Sequence, residues 1–167
     1  MKIFTKKQLR NMKIVLLFTG KTEEAYLNEG IGIYIKRLKR YVPVEIRIIG
    51  EPGKKKQSAG KHKIRESGKL LIPAGNSSYL ALLDEKGDKF NSEEFASFIE
   101  QVMTRGYKEL VFVTGGAYGF PDQMHVKADR KISLSDMTYT HQMVRLILAE
   151  QIYRAMTIIR GEPYHHS

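Results

Sequence analysis

Five short apolar runs, each followed by a stretch with helical spacing, limit what this chain can fold into. The runs are residues 13–18, 44–48, 79–83, 110–113 and 132–134, and their length and flanking turn residues suit strands. After the first run, Leu27, Ile31, Tyr34, Ile35 and Leu38 recur at helical spacing until Pro43. Thr22 is expected to cap that helix, with Glu23 and Glu24 in its first turn. Asn91 and Glu94 have the spacing of a capping box ahead of an apolar face from Phe95 to Met103, and Gly106 is placed to end the helix. A weaker helical pattern covers 61–71, Pro121 stands where a helix can open, and a long helix starts near Thr140. Five alternations of strand and helix predict an α/β fold. Its sheet should be mostly parallel, with helices on both faces and ligands beyond the carboxyl ends of the strands.

At 167 residues the chain is one domain by size. Met1-Lys2-Ile3 is echoed by Met12-Lys13-Ile14, so residues 1–11 read as a disordered extension or tag and 12–167 as the domain. There is no Cys, which excludes disulfides and thiolate chemistry and fits a reducing cytoplasm. No apolar run approaches the ~20 residues that cross a bilayer, and no export signal is expected. The Gly- and Lys-rich segment 51–60 reads as a mobile loop.

The formal charge is +10, and it is concentrated. Residues 36–69 carry twelve Lys and Arg against three Glu, or +9. A phosphorylated polymer, RNA above all, is the partner such a field attracts. A merely solubilising surface is the plainer alternative, and a lipid surface ranks below both.

Chemistry-bearing residues crowd toward the carboxyl end. Gly115, Gly116 and Gly119 follow a buried strand, where a backbone can approach a ligand closely, although a tight structural turn explains them about as well. The run is neither a Walker loop nor a dinucleotide fingerprint. The histidines are not spaced for a metal site, and no Ser stands in a nucleophile-elbow context. On the last helix, Glu150 and Arg154 are four apart and can pair. His141 and Arg145 are also four apart but gain nothing from each other, so an anionic object near both is a natural expectation.

The motifs Gly115-Gly116-x-x-Gly119, Ser133-Leu134-Ser135 with Met137-Thr138, His141-Gln142-Met143-x-Arg145, Glu150-Gln151-x-Tyr153-Arg154-Ala155 and Tyr164-His165 together resemble the RlmH family. These are SPOUT-superfamily methyltransferases acting on N3 of a pseudouridine in 23S ribosomal RNA. The resemblance runs from Met12 to the carboxyl terminus. It implies a C-terminal trefoil knot, S-adenosyl-L-methionine as donor, a homodimer packed through the knot helices, and the assembled ribosome as substrate, with no metal and no membrane. Carried over by motif, the donor site comprises Leu83, Gly115, Leu134, Ser135, Asp136, Met137, Thr138 and Tyr139, mostly through main-chain contacts.

An imide N–H is a poor nucleophile until its proton leaves, so a general base is required. His141 or His165 is expected to take that proton. Arg145 and Arg154 are expected to favour negative charge on the base or to grip a phosphate, and Tyr164 to stack on the nucleotide or cover the donor. The competing structural roles are His141 capping its helix and Arg154 pairing with Glu150. Two rival functions stay open: a non-catalytic ribosome-binding factor with the same fold, and a SPOUT enzyme acting on tRNA.

Overall fold

The computed structural model describes residues 11–49, 77–116, 119–120 and 122–164. The expected extension 1–11 (apart from Asn11), the loop 51–60, the weak helix 61–71, Pro121 and His165 therefore lie outside the described residues, and with them most of the basic stretch. Five strands, β1 (Lys13–Thr19), β2 (Val44–Ile49), β3 (Ser78–Lys89), β4 (Glu109–Thr114) and β5 (Arg130–Ser133), form one sheet in the order β2-β1-β4-β3-β5. Every pairing within it is parallel. The helices are α1 (Ala25–Leu38), α2 (Ser92–Thr104), α3 (Asp122–Lys127) and α4 (Met143–Ile159).

Alternation along the strands divides the core. Ile14, Leu16 and Phe18 of β1 join Phe112 and the inward residues of α1, α2 and α4 on one face. Val15 and Leu17 join Val111, Val113, Phe120 and Met124 on the other, under α3. Period-two side-chain alternation makes this division unavoidable once both faces are covered. The long helix α4 is buried along Leu148, Ala149, Ile152, Ala155 and Met156 and packs against both α1 and α2. At the amino ends of the strands, Arg47 bridges Glu45 and Glu109 at 3.0 and 2.7 Å, and Lys13 reaches Glu45 at 3.0 Å. One ion-pair lattice thus ties β2, β1 and β4.

Two local expectations hold. Asn91 and Glu94 exchange hydrogen bonds of 2.8 Å in a complete capping box, and Gly106 closes α2 at φ +81°. Two others need correction. The first helix begins at Ala25 with no side-chain cap and no acidic residue in its first turn. Thr22 lies two residues before the cap position, Glu24, and its hydroxyl accepts from Arg145 Nη1 at 3.0 Å. Strand β3 also does not end at Leu83. It leaves the ladder over Asp84 to Gly87 and returns, so that Leu83 and Asp88 both pair with Ile132.

Gly87 makes that excursion possible. A Cβ there would lie 2.4 Å from the Ile132 nitrogen and 2.6 Å from the Lys131 carbonyl carbon. Only a residue without a side chain lets the two backbones pass this closely.

Candidate active site

A cavity of about 640 Å³ opens beyond the carboxyl ends of β4 and β5 and against the excursion of β3, within the range of sites for small molecules. Each wall is the continuation of a strand. From β3 come Leu83, Asp84, Glu85 and Lys86; from β4 come Thr114, Gly115 and Gly116; from β5 come Ile132 through Ser135, then Met137, Thr138 and Tyr139. His125 of α3 closes one side, and His141 and Val144 at the start of α4 the other.

The glycine turn is held by Gly119 N–H donating to Gly116 C=O at 3.0 Å, with Gly119 at φ +67°. A Cβ on Gly115 would sit 3.3 Å from the Phe120 ring, so a larger residue would push into the cavity wall. The β5 continuation is shaped by its own serines. Ser133 Oγ donates to Ser135 C=O at 2.9 Å, and Ser135 Oγ accepts from Met137 N–H at 2.9 Å. These bonds satisfy the polar backbone while leaving Met137 and Tyr139 largely exposed along the rim.

The lining also contains unmet polar groups. Thr114 Oγ1 and His125 Nδ1 are buried without a hydrogen-bond partner. The nearest carboxylate to that nitrogen, Asp84 Oδ2, is 3.6 Å away, beyond a true hydrogen bond. Buried polar atoms are normally satisfied, so their clustering on one cavity fits a polar ligand. Leu83, Leu134 and Phe120 add apolar surface to the same lining.

Of the expected donor residues, Leu83, Gly115, Leu134, Ser135, Met137, Thr138 and Tyr139 line this one cavity. Asp136 does not; its exposed carboxylate turns outward to pair with Lys89. His141 stands at the rim and does not cap α4. The helix has no side-chain cap at Gln142, and its first N–H, that of Met143, is met from the preceding turn by Thr140 Oγ1 at 3.1 Å.

Arg145, expected to meet an anion, is instead fully buried. Its Nη2 donates to Thr19 C=O at 2.6 Å, and its Nη1 to Gly20 C=O at 3.2 Å and to the Thr22 hydroxyl. The guanidinium lies 5.0 Å from the Phe18 ring centroid, and burial lowers its pKa. Among the described residues it forms no ion pair, the Glu23 carboxylate acting only through its field, and carbonyls at the end of β1 take up the charge. Gln142 works alongside it, accepting from Glu23 N–H at 3.1 Å and donating to Lys21 C=O at 3.2 Å. Together they pin the start of α4 to the β1–α1 turn.

Arg154 and Tyr164 form a separate cluster. Arg154 donates to Glu150 at 2.7 and 3.1 Å and lies 5.0 Å from the Tyr164 ring centroid. Tyr153 packs edge-on against Tyr164 at 4.8 Å, and Tyr34 and Tyr41 adjoin Tyr153. Burial and the neighbouring Tyr34 push the Tyr164 phenol up to about 12. Arg154 is ten residues from Val144 along α4, about 15 Å at helical rise. Within one chain this cluster and the cavity do not meet.

Sequence reasoning missed Asp84, Glu85, Lys86, Thr114 and His125 as cavity residues. Thr114 ends β4, and Asp84, Glu85 and Lys86 follow directly on the stretch of β3 that pairs with β4, where ligand sites of parallel sheets lie, so that rule could have found these four. His125 reaches the cavity only through the packing of α3 and carried no such signal. Among the described residues no cluster of three or more His, Asp or Glu is placed to hold a metal, and no helix is long and apolar enough to cross a membrane.

Comparison with known proteins agrees with this geometry. The family described as "Predicted SPOUT methyltransferase" matches residues 12–165. A relative from Geobacter sulfurreducens named "Ribosomal RNA large subunit methyltransferase H" is 49% identical, covering 93% of this chain and 100% of its own. Relatives of that name from Geobacter metallireducens and Christiangramia forsetii are 47% and 46% identical, each covering 93% of this chain and 100% and 99% of their own. Among solved structures, a "probable methylase family protein" from Haemophilus influenzae aligns with TM-score 0.53 at 12% identity, over 95% of this chain and 72% of that one. A "probable methyltransferase" from Bordetella pertussis aligns with TM-score 0.51 at 11% identity, over 91% of this chain and 99% of that one. These two likenesses concern the fold. The chain belongs to the SPOUT methyltransferases, and within them to the family of ribosomal RNA large subunit methyltransferase H.

Proposed function

We propose that the protein methylates N3 of a pseudouridine in 23S rRNA of the assembled ribosome, as a cytoplasmic homodimer that uses S-adenosyl-L-methionine. The observation that carries this reading is the cavity itself. It lies at the carboxyl ends of β4 and β5 and at the excursion of β3, is bordered by the glycine turn and the segment before α4, and contains buried polar atoms without partners. The names of the relatives supply the substrate class.

Leu83, Gly115, Leu134, Ser135, Met137, Thr138 and Tyr139 would hold the donor, with Thr114 and His125 adding hydrogen bonds. Asp136 contributes by fixing the loop through Lys89. When bound, S-adenosyl-L-methionine supplies a methyl group already activated by a sulfonium. The protein's own task is the acceptor: to orient the base and remove the N3 proton. His141 at the rim is the described group suited to take that proton, and His165 is the second candidate. Arg145 acts by positioning, since it fixes the start of α4, which begins two residues after His141.

Arg154 and Tyr164 would serve a site from a second copy, by gripping a phosphate and by stacking on the nucleotide. Support for the pairing comes from their distance along α4 and from the exposed Tyr26 and Ile33 on α1. The trefoil threading belongs to the same reading. Its support is the excursion of Asp84 to Gly87 around Ile132, with both flanks pairing to that residue.

The test is incubation of purified protein with assembled ribosomes and methyl-labelled S-adenosyl-L-methionine, followed by mapping of the label. Label at a pseudouridine in 23S rRNA is expected. Label confined to tRNA, or donor binding with no transfer to any RNA, would overturn the assignment.

A further inference from the structure

A second cleft, of about 490 Å³, lies against the outer edge of β5. Its walls come from Lys86, Gly87 and Asp88 in the β3 excursion, Arg105 after α2, and Asp129, Arg130 and Lys131 at the start of β5. Of its two carboxylates one is neutralised by an ion pair and the other, bonded to a backbone N–H, keeps its charge. Asp88 accepts from Arg130 Nε at 2.8 Å, and Asp129 accepts from Leu80 N–H at 2.7 Å. Arg130 is further held at 5.1 and 5.7 Å from the Phe90 and Phe98 ring centroids. Lys86, Arg105 and Lys131 are exposed and form no ion pair among the described residues. Four cations, Arg130 among them, thus outnumber the two carboxylates of the cleft and leave it a net charge of +2, with Lys86, Arg105 and Lys131 reaching it from three separate segments.

Resting on the reading of the chain as an rRNA methyltransferase, we infer that this cleft holds phosphates of the rRNA strand flanking the target nucleotide. Lys86 borders both the cleft and the donor cavity, so a strand lying on Arg105 and Lys131 is led toward the site of methyl transfer. An extended polyanion suits cations spread over three segments better than a single small anion would. The surface lies outside the 36–69 stretch where the sequence concentrates its charge.

The test uses the full-length protein with Arg105→Ala and Lys131→Ala combined; Lys86 is left intact because it borders the donor cavity. Affinity for a 23S rRNA fragment is measured against salt without donor, alongside steady-state methylation of ribosomes and calorimetric donor binding. Each lost phosphate contact should reduce the log–log salt slope by about 0.7–0.9, so the double variant should lose about 1.4–1.8. KM for ribosomes should rise about tenfold or more with kcat within about twofold, the signature of lost uniform binding. Arg105→Lys with Lys131→Arg should restore both, since only charge is required. An unchanged slope and KM, or a fall in kcat alone, would overturn the cleft. The salt slope is read without donor and therefore decides the cleft even where no methyl transfer is seen, in which case the functional reading alone has failed.

Discussion

Replacing Gly87 by Ala should damage the fold far beyond what adding one methyl suggests. The new Cβ would stand 2.4 Å from Ile132 N, 2.6 Å from Lys131 C and 2.7 Å from Ile132 C. Ordinary contact begins near 3.4 Å, so the two backbones must separate by about 1 Å. Neither neighbour is the end of a flexible side chain. Both belong to β5, which is held in the ladder with β3. Overpacking costs about 1–3 kcal/mol where side chains can adjust; here the upper end is a minimum. For a chain of this size about 3 kcal/mol lowers the melting temperature by ~6–12 °C. Gly32 provides the control, because it lies within α1 with nothing within 4 Å of its would-be Cβ. Ala there should stabilise by about 1 kcal/mol through helix propensity, raising the melting temperature by ~2–4 °C. Thermal unfolding followed by circular dichroism measures both. A Gly87→Ala protein melting within about 2 °C of wild type would refute the claim that this excursion requires a residue without a side chain.

Arg145→Ala should cost about 1–3 kcal/mol for each of the Thr19 and Gly20 carbonyls it strands, with Arg145→Lys recovering only part, since an ammonium cannot reproduce the fork. Unfolding in urea checks this, and an unchanged midpoint with weakened RNA binding would return Arg145 to the surface role expected of it. His141→Ala should lower kcat by about 10²–10⁴ while leaving the calorimetric affinity for S-adenosyl-L-methionine within about threefold; equal loss of both would make it a binding residue. Hydrogen bonds from Arg47 and then Lys13 hold the Glu45 carboxyl down at about 2, and Arg47 lowers Glu109 as well. Folded-state values below the unfolded ones mean that this stability is full above about 4.5 and is lost as pH falls toward about 2. Melting temperatures across that window should fall less steeply for a Glu45→Gln, Glu109→Gln double variant, and an equal slope would contradict the lattice.

Much of the scaffold was legible because periodicity records burial. Ile14, Leu16 and Phe18 alternate with Val15 and Leu17 between two covered faces, and Asn91 with Glu94 signals a helix start through purely local bonds. What escaped depends on contacts distant in sequence. Thr22 looks like a cap, but the cap position is Glu24, and the Thr22 hydroxyl accepts from Arg145, 123 residues away. The turn read at Lys86 to Asp88 becomes a return to the ladder because of where Ile132 lies. The site was legible in the same measure. Main-chain contacts leave little trace in residue type, so the cavity's expected residues rested on motifs, and seven of those eight do gather in it. Arg145 looked functional because a cation four residues from a histidine has no local reason to exist; its reason is the end of β1, invisible from its own helix.

Calorimetric titration of the protein with S-adenosyl-L-methionine tests most directly whether the cavity is a seat for the methyl donor. The expected result is saturable heat with one donor bound per cavity, abolished by Gly115→Val, whose added atoms would press on the Phe120 ring 3.3 Å from the Cβ position. No heat from the wild type, or undiminished heat from a folded Gly115→Val protein, would contradict the assignment of this cavity.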